Sequence, residues 1–178
     1  MRKCFTSYLM RRVNQCITGS ILATIVGISA ATAQAPQPAD LERGLNLYQE
    51  KGSCKACHGW AGDGRKADNQ MPDGANLRES QLDRDTLIQV ILCGRPRTSM
   101  PAFDRLAYSD GRCYGMTQAD LRKAQIRMFD APATLQRREV EAIVDFMLAR
   151  MVGRGPMTAG QCVEFWGGPS DACGDLPK

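Results

Sequence analysis

A chain of 178 residues, 43% hydrophobic and 24% charged, holds one ordinary core rather than two large ones, and its 17 glycines and 9 prolines fall short of collagen-like or low-complexity composition. The formal charge of +4 sits ahead of the first acid, Asp40, on Arg2, Lys3, Arg11 and Arg12; removing those 4 from 23 cations leaves 19 against 19 acids. The rest of the chain is neutral, which argues against nucleic acid as the main partner.

The N-terminal stretch reads as an address. Met1 to Asn14 is basic, Ile17 to Ala33 is apolar and uncharged, and Ala31-Thr32-Ala33 supplies the small residues a signal peptidase needs, so residues 1–33 are expected to leave by cleavage before Gln34. An uncleaved anchor is the alternative, because the apolar segment falls just short of the roughly 20 residues that span a bilayer. No cysteine follows at a lipoprotein position and no later stretch is apolar enough to span. The expectation is an exported, periplasmic protein with no membrane span after cleavage.

Asp40 can cap a first helix in which Leu41, Gly44, Leu45 and Tyr48 share a narrow face. Next comes Cys54-Lys55-Ala56-Cys57-His58, the C-x-x-C-H pattern of covalent c-type haem attachment. Two thiols three positions apart can reach both vinyl groups of one haem while the adjacent histidine is delivered under the iron. A structural zinc site wants four ligands, yet His58 is the only histidine in the chain. A thioredoxin-like dithiol belongs beside a βαβ pattern, and no segment here alternates like strands. An ordinary disulfide beside a chance histidine is the remaining alternative.

The sole histidine excludes bis-histidine ligation and a second attachment motif, so one haem is expected, its sixth ligand being methionine, another weak donor or nothing. Asp83 or Asp85 can start a second helix through Leu87, Ile88, Val90 and Ile91, stopped by Gly94 and Pro96. A third helix shows the clearest stripe, Val140, Ile143, Val144, Met147, Leu148 and Met151, ending at Gly153. Met71, Met100, Met116, Met128, Met147, Met151 and Met157 follow the motif. Met147 and Met151 belong to the stripe and are core by default. Met100 stands in the irregular stretch 94–103, where the following Pro101 lets its thioether face a metal rather than the core.

The ordered run Gly44, Tyr48, Cys54-x-x-Cys57-His58-Gly59, Gly62-Asp63-Gly64, Asn76-Leu77, Gly94, Met100-Pro101-Ala102-Phe103 and a final helix with Phe146 resembles a class I bacterial c-type cytochrome over about Asp40 to Val152. The resemblance implies an all-α bundle wrapped around one covalently bound haem c. It implies Cys54 and Cys57 as thioether sites, His58 as proximal ligand and Met100 as distal ligand, with Met116 and Met128 as competitors. It also implies that the first and last helices cross at Gly44, beside Tyr48 and Phe146. Two features depart from a minimal member: an insertion at about 104–133, with a helix begun by Thr117 and Asp120, and an irregular C-terminal arm over 153–178 that carries Cys162, Phe165, Trp166 and Cys173. The cytochrome domain itself is expected over 34–152.

Cys93, Cys113, Cys162 and Cys173 allow three pairings; proximity favours Cys93 with Cys113, enclosing Met100, and Cys162 with Cys173. Iron held by His58 and Met100 has no vacant position, so the expected function is single-electron transfer between redox proteins rather than enzyme catalysis. The donor would be a dehydrogenase, by analogy a quinoprotein, or a cytochrome complex, and the acceptor an oxidase or reductase. The alternatives are a five-coordinate haem c enzyme or a gas- or peroxide-reactive sensor. Lys51, Lys55, Arg65 and Lys66 near the motif, and Arg95, Arg97, Arg105 and Arg112 near Met100, make either a solvated face or a cationic rim for an acidic partner.

Overall fold

Pro38 occupies the first turn of helix α1, Pro38–Asn46, where its missing N–H costs nothing. The computed structural model that shows this describes residues 37–66, 68–174 and 176–177; the leader and its cleavage site lie outside the described residues. Gln37, not Asp40, is the N-cap, and the Asp40 carboxylate accepts from the Gln37 N–H at 3.4 Å. The helix therefore starts three residues earlier than the Asp40 cap implied, because proline at N1 and an acid at N3 together form the start signal.

α1 runs on into a single π-helical turn, Leu47–Lys51, closed by the Gly52 N–H on the Leu47 carbonyl at 2.8 Å. The wider turn carries Tyr48 into the core, where it is fully buried. Helix α2, Lys55–His58, is one turn long and holds the attachment motif. Asp83 caps helix α3, Arg84–Cys93, by accepting from the Thr86 N–H at 2.8 Å. Thr117 and Asp120 form the expected capping box of helix α4, Gln118–Lys123. Helix α5, Arg137–Arg150, buries the face containing Val140, Ile143, Val144 and Met147, together with Phe146. In the arm, expected to be irregular, Thr158 caps an eight-residue helix, α6, Ala159–Trp166, terminated by Gly167 in the left-handed region.

α1 crosses α5 where the expected glycine notch lies. A Cβ at Gly44 would sit 2.6 Å from Phe146 Cβ and collide with the Ala142 carbonyl oxygen. Only a bare backbone lets the helices approach this closely. Beside the crossing, the Tyr48 and Phe146 rings lie 5.9 Å apart. α3 packs on α5 through Leu87, Ile88 and Ile91, so three helices share one core. The described residues form no strand, and the fold is all-α.

Candidate haem site

The attachment turn is fixed by its own backbone. The His58 N–H donates to the Cys54 carbonyl at 2.9 Å, and the Gly59 N–H donates to that of Lys55 at 3.0 Å. Gly59 then adopts φ +78°, turning the chain sharply out of α2. From the core side, the Tyr48 hydroxyl donates to the Gly59 carbonyl at 2.8 Å and anchors the exit of the motif.

Cys54 and Cys57 are both free thiols, whereas the other four described cysteines are joined as Cys93–Cys113 and Cys162–Cys173. The disulfides thus follow the proximity pairing. Burial pushes the Cys54 thiol up to about 12. Burial, with Asp68 adding and Lys66 opposing, raises Cys57. At neutral pH both stay thiols rather than thiolates, the poorer state for metal binding.

His58 is held by a group that sequence reasoning does not single out. Its Nδ1 lies 2.8 Å from the Ala75 carbonyl oxygen, which fixes the tautomer with hydrogen on Nδ1 and leaves the Nε2 lone pair for a metal. Burial lowers the imidazole pKa, opposed by this bond and assisted by the Arg95 charge, so the ring is kept neutral. Gly74 makes the arrangement possible: its N–H donates to the Cys57 carbonyl at 3.0 Å, and a Cβ there would stand 2.8 Å from His58 Nδ1. Two free thiols and an oriented neutral imidazole suit a covalently held haem; the same donors fall short of a structural zinc site.

Of the exposed or partly buried methionines, Met100 alone joins the core cluster that holds Cys54 and Tyr48. Met116 and Met128 pack instead in a satellite with Cys93, Tyr108, Cys113 and Leu121, and Met71 is exposed. Met147, Met151 and Met157 are buried as packing residues. The Met100 N–H donates to Thr98 Oγ1 at 3.2 Å, and its carbonyl accepts from the Arg95 N–H at 3.2 Å.

The loop departs from a well-satisfied helix end. The carbonyls of Ile91, Leu92, Cys93 and Gly94 accept, in order, from the Phe103 N–H at 3.2 Å, the Asp104 N–H at 3.0 Å, the Tyr108 hydroxyl at 2.7 Å and the Tyr114 hydroxyl at 2.9 Å. All four orphan acceptors of α3 thus find donors in the Met100 loop or the insertion. Gly94, at φ +65°, lets the Pro101 backbone pass where a Cβ would come within 2.6 Å of it. The insertion, whose purpose the sequence does not disclose, clamps the base of the Met100 loop through Tyr108, Tyr114 and Cys113. Tyr108 and Tyr114 hold positive φ, 61° and 57°, strain that their hydroxyl bonds sustain. Closing the 20-residue separation between Cys93 and Cys113 adds about 3 kcal/mol in the chain-entropy account.

A groove of about 1040 Å³ lies elsewhere, between α3, the insertion and the start of α5, and neither the motif nor Met100 lines it.

Residues 39–118 match the family model described as cytochrome c oxidase, cbb3-type, subunit III. The match supports a class I c-type cytochrome domain over that stretch. Such a domain implies covalently bound haem c and haem-based electron transfer with redox partners. c-type cytochrome domains typically lie outside the cytoplasm, and among the described residues no helix is long and apolar enough to cross a membrane. No curated protein and no solved structure matches the chain.

Proposed function

We propose that this cytochrome is a periplasmic single-electron carrier with one haem, bound through Cys54 and Cys57 and ligated by His58 and Met100. The observation that carries the reading is the division of the methionines: Met100 shares a cluster with Cys54, while Met116 and Met128 face the insertion disulfide. Haem c ligated by imidazole and thioether supplies one-electron exchange at a raised potential with no open coordination position. His58 supplies a neutral lone pair held by Ala75, and the clamp on the Met100 loop keeps the sixth ligand from straying. The donor is a dehydrogenase or cytochrome complex and the acceptor an oxidase or reductase; the oxidase in the name of the matched family favours the former acceptor. Residues 1–33 are the cleaved leader, 34–152 the cytochrome domain and 153–178 an appended arm.

The cationic rim narrows to one side. Lys51, Lys55, Arg65 and Lys66 pair with Glu139, Glu50, Asp63 and Asp73, and Arg112 with Asp104 and Asp110. Of these eight rim cations, Arg95, Arg97 and Arg105 make no ion pair among the described residues, so the rim's unpaired charge follows the Met100 loop along the chain. An acidic partner would dock on that side.

Met100→Ala tests the reading. Haem stays attached through the two cysteines, the low-spin absorption spectrum shifts toward high-spin or water-ligated iron, and the reduction potential falls. Met116→Ala and Met128→Ala leave the spectrum unchanged. An open site in Met128→Ala with a normal Met100→Ala spectrum would reassign the ligand, and wild-type iron already five-coordinate would favour the enzyme or sensor alternative.

A further inference from the structure

The C-terminal arm touches the His58 segment at two places. Trp60, two residues beyond His58, packs against Phe165 and Trp166 of α6 with ring centroids 5.3 Å from each. Ala61 shares a buried cluster with Met157, Cys162 and Cys173 of the arm.

The second contact runs through a buried cation. Arg78 is 1% exposed and forms no ion pair among the described residues. Its Nε donates to the Gly155 carbonyl, its Nη1 to the Arg150 carbonyl at 3.4 Å, and its Nη2 to Gln161 Oε1 at 2.5 Å. In return, the Gly155 N–H donates to the Arg78 carbonyl at 3.1 Å. A buried guanidinium held only by neutral acceptors is an expensive way to join two segments, since apolar packing does so without desolvating a charge. Its fork does supply what apolar packing lacks, three directed bonds from one rigid plane.

Those bonds lead to the histidine. The Leu77 and Arg78 N–H groups both donate to the Gly62 carbonyl, at 2.7 and 3.2 Å, and the Arg78 N–H also reaches Asn76 Oδ1 at 3.0 Å. Three residues upstream stands Ala75, whose carbonyl orients His58 Nδ1. We infer that the C-terminal arm positions the proximal ligand: Gly155 and Gln161 fix Arg78, Arg78 fixes residues 75–78 over Gly62, and that segment holds the Ala75 carbonyl on His58. This rests on the proposed ligation by His58. A firm Nδ1–H···O bond makes the imidazole a stronger donor and favours ferric iron; loosening it raises the reduction potential.

The test uses the full holoprotein with three substitutions. Gln161→Leu removes one acceptor from Arg78 while the cation stays, and also the Gln161 oxygen that accepts from the Thr158 N–H in the α6 capping box. Arg78→Lys keeps the charge and loses the fork. Glu164→Gln, a control, breaks the arm's ion pair with the Arg150 side chain and leaves all three acceptors of Arg78 in place, the Arg150 backbone carbonyl included. Solvent exchange of the His58 Nδ1 proton, followed by NMR in the reduced state, should quicken about tenfold in the first two, because exchange requires the bond to the Ala75 carbonyl to open. Their midpoint potentials should rise, while the control changes neither. Unchanged exchange and potential in Gln161→Leu, with only a lower melting temperature, would reduce Arg78 to a structural tie and overturn the inference. An equal shift in Glu164→Gln would overturn the Arg78 route. If Arg78→Lys fails to hold haem, Gln161→Leu decides alone. A wild type without a nitrogen-ligated low-spin spectrum defeats the ligation reading, and the positioning role with it.

Discussion

His58 has no understudy. It is the only imidazole in the chain, and its ring is preset by the Ala75 carbonyl at 2.8 Å. His58→Ala is expected either to prevent accumulation of holoprotein or to leave a high-spin, labile haem, whereas a normal low-spin spectrum would show that another group ligates the iron. Cys54, Cys57 and His58 are legible in sequence because five consecutive residues carry the chemistry. Ala75 and Gly74 are not, since a carbonyl oxygen is common to all residues and its role depends on where the chain returns. Tyr108 and Tyr114 escape for a related reason: their hydroxyls matter only because the insertion folds back onto the end of α3.

Among the elements, the α1 to α5 crossing has the least tolerance. Gly44→Ala would place a methyl group 2.6 Å from Phe146 Cβ and against the Ala142 backbone. Overpacking of this kind costs about 1–3 kcal/mol. Thermal unfolding of the holoprotein should show the loss as a lower melting temperature, with the absorption spectrum retained below the transition. The π-helical turn is also tied to α5: the Lys51 ammonium contacts both oxygens of Glu139, each at 2.7 Å, and the Gln136 N–H donates to the same carboxylate. The Lys51 bond, then the Gln136 bond, lower the Glu139 pKa below its ordinary 4.5. A depressed carboxylate contributes stability that is fully present above 4.5 and lost as pH falls through the lowered value. Glu139→Gln should therefore cost less than about 1 kcal/mol at neutral pH, solvent screening included. The difference from wild type in denaturant titrations should vanish in acid. Helix stripes could be read from the sequence; some starts could not. Asp40 looked like an N-cap, but Pro38 moved the start upstream. α6 is not legible, because eight residues with Gly160 among them give little periodicity and the helix depends on its capping box and the Cys162–Cys173 bond.

On the scale of the molecule, charge is unevenly partnered. Electron exchange with an acidic redox protein should slow as salt rises, and Arg95→Gln with Arg97→Gln should flatten that dependence; stopped-flow rates at several ionic strengths would measure both. Neutralising Lys51 and Lys55 should change the salt dependence less, because those charges already face Glu139 and Glu50. A salt dependence identical in all variants would remove the Met100 side from the docking surface.

The sequence by itself determined the chemistry and the class of fold. Two thiols three positions apart, an adjacent imidazole and apolar stripes are local patterns, and locality is what one chain read in order displays. The nearest-neighbour pairing of four cysteines was legible for the same reason, since short loops close most readily. Tertiary structure alone decided which partly buried methionine packs on the core beside Cys54, which carbonyl orients His58, which cations stay unpaired and where the arm docks. Each of these is a contact between distant segments, set by helix packing and by the return path of the 59–78 loop. Arg78 shows the limit most plainly: in sequence it is one more surface-type cation, and only burial against Gly155 and Gln161 ties it to the segment that carries the Ala75 carbonyl.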